Sequence, residues 1–210
     1  MGQLRQAPDR EKGYARGERG RRERGHVLGG RGSGGVELVV NLAAPYDARE
    51  VSNYVLVVAK DSGYQLTQMS LLKIIFYAHG WYLASTGNPL FKQPVEAWEY
   101  GPVVKVVRDA FKDFGKKPIT RLAERLDLET GELIRVGHSL SSDDEAFVRN
   151  ILSIYGKKSA FELSDMTHER GSPWDKIWNS NRTIGRLGLR IKNDDIKSYF
   201  VKSKLDSALH

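Results

Sequence analysis

Between Thr67 and Gly87 the chain offers almost no polar face. Leu71, Leu72, Ile74, Ile75, Phe76, Tyr77, Ala78, Trp81, Tyr82 and Leu83 surround a helix on all sides, interrupted by Lys73 and His79. A helix that is apolar all round has to be enclosed by other elements, because any exposed side would leave apolar surface in water. The apolar run is shorter than the roughly 20 residues that span a bilayer and it contains a lysine, so the enclosure expected is protein. Thr67 can cap the start, and Gly87 with Pro89 can close the end. The fold class that follows is mainly α, with a small β-hairpin: a compact multi-helix domain around a buried central helix at about 68–85.

The flanking sequence supplies elements to cover it. Val51, Tyr54, Val55 and Val58 recur at helical spacing, predicting a helix from Asp47 to Lys60 with Asp47 and Glu50 in a capping-box arrangement and Gly63 as the stop. Pro94 to Tyr100 alternates as an extended segment. Gly101-Pro102 should break it, with Pro102 as the first residue of a helix over 103–114. Leu126-Asp127-Leu128 and Leu133 to Val136 flank Glu129-Thr130-Gly131-Glu132, predicting a hairpin with positive φ at Gly131. Capping boxes are expected at Ser142–Glu145 and Ser159–Glu162. Pro173 should open a further helix, and Asn193 to Ile196 a last one carrying Tyr199 and Phe200.

Charge is unevenly placed. The chain of 210 residues carries a net charge of +7. Residues 1–35 hold nine Lys/Arg against four Asp/Glu and ten of the 21 glycines. With Leu4, Tyr14, Val27 and Leu28 as their sizeable apolar residues, they cannot bury enough surface to offset ordering entropy. We therefore expect a disordered basic Arg/Gly-rich extension over 1–45 and one domain over 46–205. The remaining 175 residues carry 24 basic and 22 acidic side chains, so net charge makes no case there for a phosphate-tracking surface. Cysteine is absent, which excludes disulfides, thiolate metal sites and a cysteine nucleophile and suits the cytoplasm. The basic N-terminus lacks the apolar segment of a secretory signal.

Catalytic chemistry is sparsely represented. The five histidines are His26, His79, His138, His168 and His210. None forms HExxH spacing, and there is no P-loop, GxSxG or dinucleotide fingerprint. His79 falls on the apolar stripe of the central helix, where a buried imidazole satisfied by a carboxylate or carbonyl is expected; the functional alternative is a polar group at the floor of a recognition cleft. His168 near a helix C-terminus is favoured by the dipole. A metal hydrolase would need both histidines to converge on Glu96 or Glu99. Trp98-Glu99-Tyr100-Gly101-Pro102 sets two large aromatics around an acid before a turn. The rings either fill the core or form a ledge for a partner. Trp174, after Ser172-Pro173, poses the same choice.

Leu66 to Leu83, then Gly87-Asn88-Pro89-Leu90-Phe91 with Pro94 to Val104, then Ser164-Asp165-Met166-Thr167-His168-Glu169 with Ser172-Pro173-Trp174, resemble in order the motifs of the Panacea domain of SocA-like antitoxins, a phage-associated domain. The likeness covers about residues 47–201. It implies an antitoxin without catalytic residues that binds a cognate protein toxin encoded nearby and in some cases delivers it to a cellular protease; with the composition and the motif inventory, the expectation is a cytoplasmic, non-enzymatic protein without cofactor or metal and away from membranes. Nucleic acid would be a partner through the N-terminal arm only. The expected binding surface involves Trp98, Glu99, Tyr100, Gly101 and Pro102, with His79, His168 and Trp174 nearby.

Overall fold

The computed structural model describes residues 44–137, 139–180 and 188–208. The expected 1–45 extension therefore lies outside the described residues but for its last two, as do His26, His138 and His210.

Helix α1 (Ala48–Asp61) starts at Asp47, whose carboxylate accepts from the Arg49 N–H, and gives way to Gly63 at φ +76°. The predicted capping box is not made there: Glu50 turns away and accepts from Ser139 Oγ at 2.9 Å. Helix α2 (Gln68–Thr86) is capped by the Thr67 hydroxyl and ends at Gly87 in the left-handed region. It is the axis of the domain, and packs against α1, α4 (Ser142–Tyr155), α5 (Ala160–Thr167) and α7 (Asn193–Ala208). Apart from Trp81, which is partly buried against the core, its apolar residues from Leu71 to Leu83 are buried in one cluster. Gly80 admits the Phe200 ring of α7, because a Cβ there would overlap that ring. Tyr77 stacks on Tyr155 of α4 with centroids 4.4 Å apart.

The expectation for Gly101-Pro102 is corrected. Strand β1 (Val95–Trp98) turns through Glu99 and Tyr100 directly into β2 (Gly101–Val104), with Ala97 paired to Pro102 and Trp98 to Gly101. Helix α3 is confined to Lys105–Ala110, followed by a 3₁₀ turn at Lys112–Phe114. A proline is tolerated inside β2 because that strand is at the edge of the sheet, where a missing N–H breaks no second ladder. The sheet order is β2-β1-β5, with β5 only Arg190–Ile191, too short to leave a pattern in the sequence.

The predicted hairpin forms as β3 (Glu124–Leu126) and β4 (Leu133–Arg135), with Gly131 at φ +72° in its turn. Helix α4 is capped by Ser141, one residue before the expected position, and Asp144 bonds back to that hydroxyl and to Tyr46. The Ser159–Glu162 capping box makes both of its bonds. Helix α6 (Pro173–Ser180) begins on its proline as expected.

Candidate partner-binding site

The turn between β1 and β2 is built from beneath. Lys73 enters from the middle of α2, is 1% exposed, and donates from Nζ to the Tyr100 carbonyl and, at 3.2 Å, to the Pro102 carbonyl. Burial lowers its pKa to about 7. From α5, Ser164 Oγ donates to the same Tyr100 carbonyl at 3.4 Å. From α6, Trp174 Nε1 donates to the Trp98 carbonyl at 2.7 Å. Gly101 has φ +100°, and a Cβ there would overlap Lys73 Nζ and come within 2.7 Å of Thr167 Oγ1. Three helices thus fix one tight turn through its backbone, and only glycine fits its tightest point.

What the turn presents outward is small and specific. Tyr100 is 68% exposed and Glu99 is exposed. Trp98 is half-buried, its Nε1 donating to Glu96 at 2.9 Å and its ring lying under the Arg108 guanidinium, 5.4 Å from the centroid. Pro102 and Trp174 are buried, so their rings are scaffold. Phe161, one turn before Ser164 on α5, is 73% exposed and adds a second uncovered ring on the helix that holds the turn.

His168 caps α5 and meets the Trp174 ring edge-on, centroids 4.0 Å apart. Burial, reinforced by the Lys73 charge, lowers its pKa, while bonds to the Glu99 and Ser164 backbone oppose this. It therefore belongs to the underside of the turn. His79 does not. It is fully buried, stacks on Phe91 at 4.1 Å, and shares a 3.0 Å hydrogen bond from Nε2 with Asn193 Oδ1 of α7. The expected carbonyl partner is a side-chain amide, and burial lowers the His79 pKa to about 4. His79 and His168 share no partner, and among the described residues no group of three or more His, Asp or Glu could hold a metal ion. No described helix is long and apolar enough to cross a membrane.

Two residues were missed from sequence. Lys73 and Asn53 are polar positions on apolar helix faces, and both turn out to hold a hairpin. Asn53 of α1 is buried, bonds from Nδ2 to the Ala123 and Val136 carbonyls at 3.2 and 2.7 Å, and accepts from the Ala123 N–H at 2.7 Å. The available signal was the misplaced polarity itself, since a buried amide or ammonium has to be paying its desolvation with bonds to something.

Comparison with known proteins agrees on family. Residues 71–175 match the Antitoxin SocA-like, Panacea domain family. Antitoxin SocA of Caulobacter vibrioides (strain NA1000 / CB15N) is 36% identical over 154 residues, spanning 73% of this chain and 82% of that protein. No solved structure matches. The chain belongs to the SocA-like Panacea domain family.

Proposed function

We propose that this protein is an antitoxin acting in the cytoplasm, which neutralises a cognate toxin by binding it directly, without catalysis, and that the Glu99-Tyr100 turn is the centre of the contact. Family membership and the relative's name support the antitoxin role. The observation that carries the surface is the clamp. Lys73, Ser164 and Trp174 hold the turn through backbone carbonyls, which leaves the Tyr100 side chain free of structural duty and uncovered. An exposed aromatic on a rigid base gives up little entropy on binding, and such residues dominate interface energetics. Trp98 and Glu99 flank it, Gly101, Pro102, His168 and Trp174 support it, and His79 serves the core.

Co-expression with the adjacent gene tests this. The neighbour alone should stop growth, the pair should restore it, and Y100A with F161A should lose rescue while keeping the wild-type melting temperature. Rescue that survives the double variant sinks the surface; a neighbour harmless on its own sinks the antitoxin reading. Delivery to a protease is the finer form of the same proposal. It predicts that the toxin's half-life shortens when this chain is present, whereas rescue with an unchanged half-life leaves occlusion.

A further inference from the structure

Balanced net charge conceals a local excess. The N-terminal end of α1 and the β3–β4 hairpin enclose an open cleft of about 540 Å³ lined by Arg49, Lys92, Arg125 and Arg135 together with Asp47 and Glu50. Asp47 is taken by Arg49 in a two-bond pairing at 2.8 and 3.0 Å. Glu50 accepts from Ser139. Lys92, Arg125 and Arg135 close no ion pair within the described residues, and Glu124 stands across the ladder from Arg135 without pairing to it. Four basic and two acidic residues line the cleft, a net of about two positive charges, and Asn53 fixes the base of the hairpin that carries two of the arginines.

A cleft of net positive charge is complementary to a polyanion. We propose that the cleft binds the phosphodiester backbone of a nucleic acid, making the folded domain a phosphate contact in its own right. Arginine is suited to this because its planar fork meets phosphate with two hydrogen bonds, and β-ribbons enter nucleic-acid grooves in other proteins. The exposed Leu128 stands at the tip of the same hairpin, 90% uncovered, where an apolar side chain can meet base or sugar faces.

The full chain should be titrated by fluorescence anisotropy with a labelled 20-base-pair duplex of arbitrary sequence, as DNA and as RNA, between 50 and 200 mM salt. Affinity is expected to fall steeply with salt, and R125A/R135A should weaken binding about tenfold or more and reduce the salt slope by about two, one per lost phosphate contact. K116A/K117A removes the same charge from exposed lysines outside the cleft and should change binding far less. The DNA and RNA arms identify which backbone is held. Equal losses from the two pairs, unchanged binding by R125A/R135A, or no binding to either duplex at 50 mM salt each overturn the proposal. So does loss of the toxin complex by R125A/R135A with duplex binding intact, which would assign the cleft to a protein partner.

Discussion

The two hairpins among the described residues are made of similar lengths of chain and are held in opposite ways. The β1–β2 turn sits on the core: Lys73, Ser164 and Trp174 bond its carbonyls from below, Val95 and Ala97 are buried, and one tyrosine side chain is left outside. The β3–β4 hairpin is held at its root by Asn53, and beyond that its strands are exposed, with the cross-strand pair Leu126 and Leu133 at 53% and 67%. A tight turn clamped through its backbone is rigid and can afford only glycine at its tightest point. A hairpin held at the base is tolerant along its length. Preorganisation in the first and adaptability in the second are set by where the polar partners lie, because the strands themselves are too short to be stable alone.

The sharpest way to break this contrast is to add one methyl group to each turn. Gly101→Ala places a Cβ against Lys73 and Thr167 at a φ that L-residues avoid, and should cost about 3–5 kcal/mol in urea unfolding. Gly131→Ala meets nothing within 4 Å and should cost about 1 kcal/mol, the price of the positive φ. Similar losses at both sites would mean the clamp does not constrain the first turn.

Lys73 gives the next effect. Its folded pKa of about 7 lies below the 10.5 of an unhindered lysine, so between those values the unfolded chain holds a proton the folded one has released. Stability therefore rises with pH across that window. Between pH 7 and 9 the contribution is roughly 2–3 kcal/mol. Lys73→Met should abolish this rise, measured as the difference in unfolding free energy at the two pH values; a parallel rise in the variant would place its origin elsewhere.

Asn53→Ala removes three buried bonds, leaves the Ala123 N–H and the Val136 carbonyl without their partner, and should cost about 2–3 kcal/mol. Amide exchange should quicken in β3 and β4 and stay protected in β1. Smallest of all, Leu126→Thr with Leu133→Thr, and separately Tyr100→Ala, should each leave stability within about 0.5 kcal/mol, since those side chains already face water. A large loss from Tyr100→Ala would mean that its ring is structural.

The helices were legible because each carries its signal locally. Thr67 and Gly87 bound α2, Ser159 and Glu162 make the predicted box, and Pro173 opens α6. The errors fall where local signals were ambiguous. Pro102 fits a helix start and an edge strand equally well, and only the pairing of Ala97 with it decides. Ser141 and Ser142 are adjacent hydroxyls, and the Tyr46–Asp144 bond selects the first. Of the candidate residues, Trp98 to Pro102, His168 and Trp174 do converge on one turn, while His79 faces Phe91 and Asn193 in the core.

By itself the amino-acid sequence determined that a helix without a polar face must lie inside a helical domain, because water excludes such a surface from any other place. It also determined where that helix starts and stops, since caps and glycines act within a few residues. Only the tertiary structure decided what the two exceptions on buried faces were for. Lys73 and Asn53 reach backbone groups 27 to 83 residues away, and no spacing rule encodes which distant carbonyl a buried donor will meet. It likewise gathered Arg125, Arg135 and Lys92 around one cleft in a charge-balanced domain, because charge is summed along a chain but acts through space.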